Sequence, residues 1–126
     1  MQAATIKKIM QIKDDLGIKV FHVQGDNSNF FSHGILGNEI LFDFENEMAI
    51  AIRVNKSSNI TPYRITMLDF EQIQYITFEL DYEDTDNFIN NESPKYGATA
   101  EDIEIMKRAF KKSKLYKGNS YTGRQK

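Results

Sequence analysis

Glu39-Ile-Leu-Phe-Asp-Phe44, Glu45-Asn46-Glu47 and Met48-Ala-Ile-Ala-Ile-Arg-Val54 follow one another without a break. Two apolar arms of strand length flank a short polar link, which is the pattern of a β-hairpin. In the second arm Met48, Ile50, Ile52 and Val54 share one face, and Ala49, Ala51 and Arg53 share the other, because strand side chains alternate. Ile40, Phe42 and Phe44 alternate in the same way. The three-residue link, with Asn46 suited to a left-handed conformation, predicts a hairpin closed by a bulge.

Working outward, Ile18-Lys-Val-Phe-His-Val23 reads as a strand ended by the turn cluster Gly25–Asn29. Phe30 and Phe31 reopen an apolar run that Gly34 and Gly37 interrupt. After a polar loop from Lys56 to Pro62, Tyr63–Leu68 and Ile73–Leu80 read as strands joined by the short turn Asp69-Phe-Glu-Gln72. The chain begins with a helical pattern from Ala3 to Leu16, with Ile6, Ile9, Met10 and Leu16 on one face, joined by Lys13 at helical spacing. Thr5 is its expected N-cap and Gly17 its terminator. Asp81–Gly97 is polar, shows no firm period and is expected to cross the surface. Thr99 with Asp102 forms a capping-box-like pair opening a helix from Ala100 to about Leu115, which buries Ile103, Met106 and Phe110.

These elements predict an α+β fold. Its parts are an N-terminal helix on a strongly bent, mostly antiparallel sheet of five or six strands, and a C-terminal helix. A strand, a 3₁₀-like turn and a final strand also suit a partial SH3-like barrel, as an architectural comparison. The 126 residues suit one domain over 1–117, with a flexible basic tail over 118–126. Edge strands and Phe30-Phe31 leave a homo-oligomer open.

Charge is the main compositional asymmetry. Residues 1–94 sum to −8 and residues 95–126 to +6, from a total of −2. No apolar run is long enough to span a membrane, and the N-terminus lacks the features of a signal peptide. With no cysteine, disulfides and thiolate metal sites are excluded, and a cytoplasmic location is expected.

Catalytic signatures are sparse. His22 and His33 match no metal-ligand spacing, even with Asp26, so no metal and no cofactor are expected. An EF-hand starting at Asp84 fails, with Ile89 at the glycine position and Lys95 at the bidentate glutamate position. No serine lies in a Gly-x-Ser-x-Gly elbow, and Gly34-Ile-Leu-Gly37 is not followed by lysine. A small enzyme built near His22 and His33 is the third reading.

The first reading is a non-enzymatic protein that binds another protein through an acidic strand. Apolar and acidic residues alternate in Phe78-Glu79-Leu80-Asp81-Tyr82-Glu83. In a strand, Glu79, Asp81 and Glu83 then point one way about 7 Å apart, similar to successive phosphates of an extended nucleic acid. Asp84 and Asp86 extend the patch. Its sharpest form is an inhibitor that mimics nucleic-acid charge on a nucleic-acid-binding partner. The second reading is direct nucleic-acid binding by Lys107, Arg108, Lys111, Lys112, Lys114 and Lys117, with Phe110 and Tyr116 interleaved. Against it, Glu101, Asp102 and Glu104 precede these cations, the order that the helix dipole favours.

Overall fold

A computed structural model describes the backbone of residues 1–26, 30–55 and 57–124. The order is α1 (Ala3–Asp15), β1 (Phe21–Gly25), β2 (Phe30–His33), β3 (Asn38–Asp43), β4 (Met48–Val54), β5 (Tyr63–Asp69), β6 (Ile73–Phe78), α2 (Tyr82–Asn87) and α3 (Ala100–Arg124). The α+β class and the antiparallel pairing are as the sequence predicts. The six strands form two three-stranded sheets, β2-β1-β6 and β3-β4-β5; the partial SH3-like barrel is not shown. The chain divides into two compact units, Met1–Glu79 and Leu80–Lys126. No helix among the described residues is long and apolar enough to cross a membrane.

In the first unit, α1 starts at Ala3 with Gln2 as N-cap, so Thr5 lies inside the helix rather than capping it. Its end is as predicted. Gly17 adopts φ 68°, Ile18 N–H donates to Lys13 O and Gly17 N–H to Asp14 O. That pair of bonds is a Schellman cap, which satisfies carbonyls the helix leaves open. Ile6 is fully buried, and Met10 packs beside the core. Lys13 lies over the Phe21 ring at 5.6 Å, so its stem continues the apolar face while its charge is held by an aromatic surface.

The core joins Ile6 to Phe21, Val23 and Phe31 of one sheet, Ile40, Ala49, Ala51 and Leu68 of the other, and Phe70 and Ile73 at the 3₁₀ turn Phe70–Gln72. Of the Phe30-Phe31 pair, Phe31 is therefore core rather than an exposed anchor; the Phe30 side chain and the turn residues 27–29 lie outside the described residues. In the hairpin the small face of β4 turns inward. Ala49 sits between Phe42 and Leu68, and Ala51 between Ile40 and Thr66. Alanines leave room for the rings of Phe42, Phe44 and Phe70, whose centroids are 5.5–6.2 Å apart, a spacing suited to tilted and edge-to-face aromatic contacts.

The hairpin link differs from expectation in one respect. The left-handed residue is Glu47, at φ 55°, and not Asn46. Asn46 instead belongs to an Asx-type turn, in which the Asp43 carboxylate accepts from Glu45 N–H, Asn46 N–H and Asn46 Nδ2. The Asn46 bonds hold the Asp43 carboxyl below its ordinary range.

In the second unit, Asp81–Gly97 is ordered helix and turn rather than patternless surface chain. Asp81 caps α2, its Oδ1 accepting from Asp84 N–H at 2.8 Å. A π-turn over Phe88–Glu92 and a 3₁₀ turn over Ser93–Tyr96 follow. Ser93 is buried, its hydroxyl donating to Ile89 O at 2.7 Å. The predicted capping box opens α3 as read: Asp102 N–H donates to Thr99 Oγ1 and Thr99 N–H donates to Asp102 Oδ2. The Thr99 bonds hold the Asp102 carboxyl below its usual range.

Candidate functional site

Sheet β3-β4-β5 has two faces, and residue pairing assigns each side chain to one of them. Rows Ile40–Ala51–Thr66 and Phe42–Ala49–Leu68 face the core. Rows Glu39–Ile52–Ile65, Leu41–Ile50–Met67 and Asp43–Met48–Asp69, with Val54–Tyr63 at the end, face the other way. On that outer face Tyr63 is 69% exposed, Ile65 62%, Met67 60% and Leu41 55%. Ile50, Ile52 and Met48 lie between them, half-buried. From strand spacing and rise, the face covers roughly 14 by 23 Å. Its acidic residues, Glu39, Asp43 and Asp69, stand at three corners, and no lysine or arginine occupies a position in these outer rows. Sequence alternation marks two faces on each strand, but it does not say which face meets the core.

The outer face of β2-β1-β6 is different. His22 sits between Ser32 and Thr77. Its Nδ1 is 2.9 Å from Ser32 Oγ and its Nε2 is 2.7 Å from Glu79 Oε1. A carboxylate only accepts, so Nε2 carries the proton toward Glu79; in neutral His22, Nδ1 then accepts from the Ser32 hydroxyl. This is a serine–imidazole–carboxylate chain in hydrogen-bond terms. It lies across an open sheet face, and none of its three residues lines the depressions described below.

His33 is on the opposite face. It pairs with Phe21 and stacks on that ring at 4.6 Å. Its Nδ1 accepts from Ile40 N–H at 3.1 Å, so its proximity to Glu39, 3.3 Å away, is not an ion pair while that bond is made. The two imidazoles thus do not share a site, and no metal-holding group of His, Asp and Glu occurs among the described residues.

The acidic row changes geometry along its length. β6 ends at Phe78, Asp81 becomes a helix cap, and Glu83, Asp84 and Asp86 are on α2. The even 7 Å spacing expected of a continuing strand is therefore absent from residues 79–83. Glu79 is bonded to His22 in the first unit. Asp86 lines a depression of about 240 Å³ with Tyr82, Ile89, Lys107, Phe110 and Lys111 in the second. Tyr82 and Phe110 rings are 4.8 Å apart.

Along α3, Ile103, Met106 and Phe110 are half-buried on one face, with Lys107 between them and 3.9 Å from Glu104. Arg108 Nε donates weakly to Glu104 O at 3.4 Å. Lys111 and Lys112 are exposed. The side chains of Lys114 and Lys117 lie outside the described residues, as do those of the expected tail over 118–126.

A second depression of about 240 Å³ belongs to the end of sheet β3-β4-β5, lined by Asn38, Arg53, Val54, Asn55 and Arg64. Asn38, Arg53 and Arg64 form one cross-strand row. Neither arginine was singled out by sequence; the signal was their place in an acid-free stretch, Met48–Leu68. Searches of protein-family models, curated proteins and solved structures find no match to the chain.

Proposed function

We propose that the protein is a small non-enzymatic interaction module that binds another protein through the outer face of β3-β4-β5. The observation that carries this reading is the exposure of Leu41, Tyr63, Ile65 and Met67 on one contiguous face. An antiparallel sheet ordinarily turns polar side chains to water, and apolar patches of several hundred Å² mark association sites. The acidic corners favour a partner whose contact rim is basic, since complementary charge speeds encounter and fixes register. A nucleic-acid-binding protein fits that description, and inhibition by occupying its basic surface is the sharpest form of the reading.

The alternative, direct nucleic-acid binding by α3, has less support. The Glu104 carboxylate lies 3.9 Å from Lys107, and Asp86 shares a depression with Lys107 and Lys111, so carboxylates sit beside two of these cations. The test is a photo-crosslinking residue placed at Met67 and, as control, at Thr77 on the outer face of the other sheet. A single adduct with one partner at 67, absent at 77 and weakened at about 300 mM salt, is the expected result. Equal labelling at both positions, or none at 67, overturns the reading. A self-adduct at 67 replaces the foreign partner with a second copy.

A further inference from the structure

Arg53 on β4 and Arg64 on β5 are directly opposed. Like charges opposed across strands repel, and sheets ordinarily avoid the arrangement. Among the described residues neither guanidinium forms an ion pair, although carboxylates outnumber cations in the first 94 residues. Glu39, next to Asn38 on β3, belongs to the row on the other face. The two arginines line, with Asn38 and Asn55, the depression of about 240 Å³ at this end of the sheet. The carbonyl and amide of Asn55 are engaged by Ser57 and Thr61, which holds that wall in place.

We propose that this depression binds the phosphate group of a small phosphate monoester. Guanidinium groups present planar, paired N–H donors that match phosphate oxygens, and a charge of +2 matches a phosphate dianion. Occupation turns the repulsion between the arginines into shared attraction to the ligand. The depression has room for more than a bare phosphate, which leaves space beside Asn38 and Asn55 for the organic part. This site is independent of the protein-binding face, which is formed by the opposite side chains of the same strands.

The test is an amide NMR titration of the full chain with sodium phosphate, against sodium chloride at equal ionic strength. Signals of Asn38, Val54 and Asn55 are expected to move together and saturate in phosphate only. Glycerol phosphate is expected to bind at least as tightly as inorganic phosphate. Arg64→Gln, a change at an exposed position, weakens both by about tenfold or more, whereas Arg108→Gln on α3 leaves them unchanged. In a second readout, without phosphate, Arg64→Gln shifts the urea midpoint upward because the opposed pair is gone. No localised shift with phosphate, equal loss in Arg108→Gln, binding of an oligonucleotide but not of the monoesters, or a lower midpoint for Arg64→Gln each overturns the assignment.

Discussion

Two three-stranded sheets share one core, and each turns its other face outward, yet those outer faces differ in chemistry. On β2-β1-β6 a polar row, Ser32, His22 and Thr77, lies side by side with the imidazole held at both nitrogens, and Gln24 and the exposed Tyr75 follow in the next row. On β3-β4-β5 it is apolar, with Leu41, Ile65, Met67 and Tyr63 more than half exposed. Fold alone does not require the second arrangement, because the first shows that this topology tolerates a polar face. Under the proposed function these apolar residues serve association, the physical process that rewards burial of exposed apolar area.

If the inner faces carry the stability, substitutions there cost far more than substitutions on the outer faces. Gly34→Ala is expected to have the largest effect. Gly34 has φ +83°, and an added Cβ would stand 2.1 Å from the carbonyl oxygen of Lys19, so the turn linking the two sheets has to move. A loss of about 4 kcal/mol or more in urea unfolding is expected; a loss below about 1 kcal/mol would show that the turn adapts. Next, Leu68→Ala on the inner face should cost about 3 kcal/mol by emptying a packed position. Its neighbour Met67, on the outer face, should accept Lys within about 0.5 kcal/mol while binding the partner identified by crosslinking more weakly. Similar costs at 67 and 68 would mean that the outer face is structural.

In the second unit, Thr99→Ala removes the hydroxyl of the capping box and should cost about 1 kcal/mol of α3 stability, read by helical circular dichroism. Acid titration should act on the same cap. The Asp102 carboxyl is held low by Thr99 N–H, so its contribution is present above the ordinary carboxylate pKa of about 3.9 and disappears as pH falls through the lower folded value. Asp102→Asn should flatten that acid-limb change. A small effect is also expected on the polar row of the other sheet. Glu79→Gln keeps an acceptor for His22 Nε2 and removes a largely exposed charge, so stability should change by less than about 1 kcal/mol. A large loss there would make the His22 row structural and narrow the contrast between the two faces.

Much of this was legible in local sequence because the relevant forces are local. Gly17 ends α1 through a left-handed φ, and Thr99 and Asp102 close a reciprocal cap; residues three to five apart settle both. The alternation in Met48–Val54 likewise requires two distinct faces. Local pattern also misled. Alternation through Phe78–Glu83 suggested a strand, but Asp81, with Glu83 and Asp84 in the following turn, is also a helix-cap sequence, and the cap is what forms. Tertiary packing alone decided that Ala49 and Ala51 face inward, because the rings of Phe42, Phe44 and Phe70 need the space that alanine leaves. That choice sends Ile65 and Met67 outward, and strand pairing sets Arg53 opposite Arg64. Periodicity defines faces; which one is buried depends on volumes contributed by strands far apart in the chain.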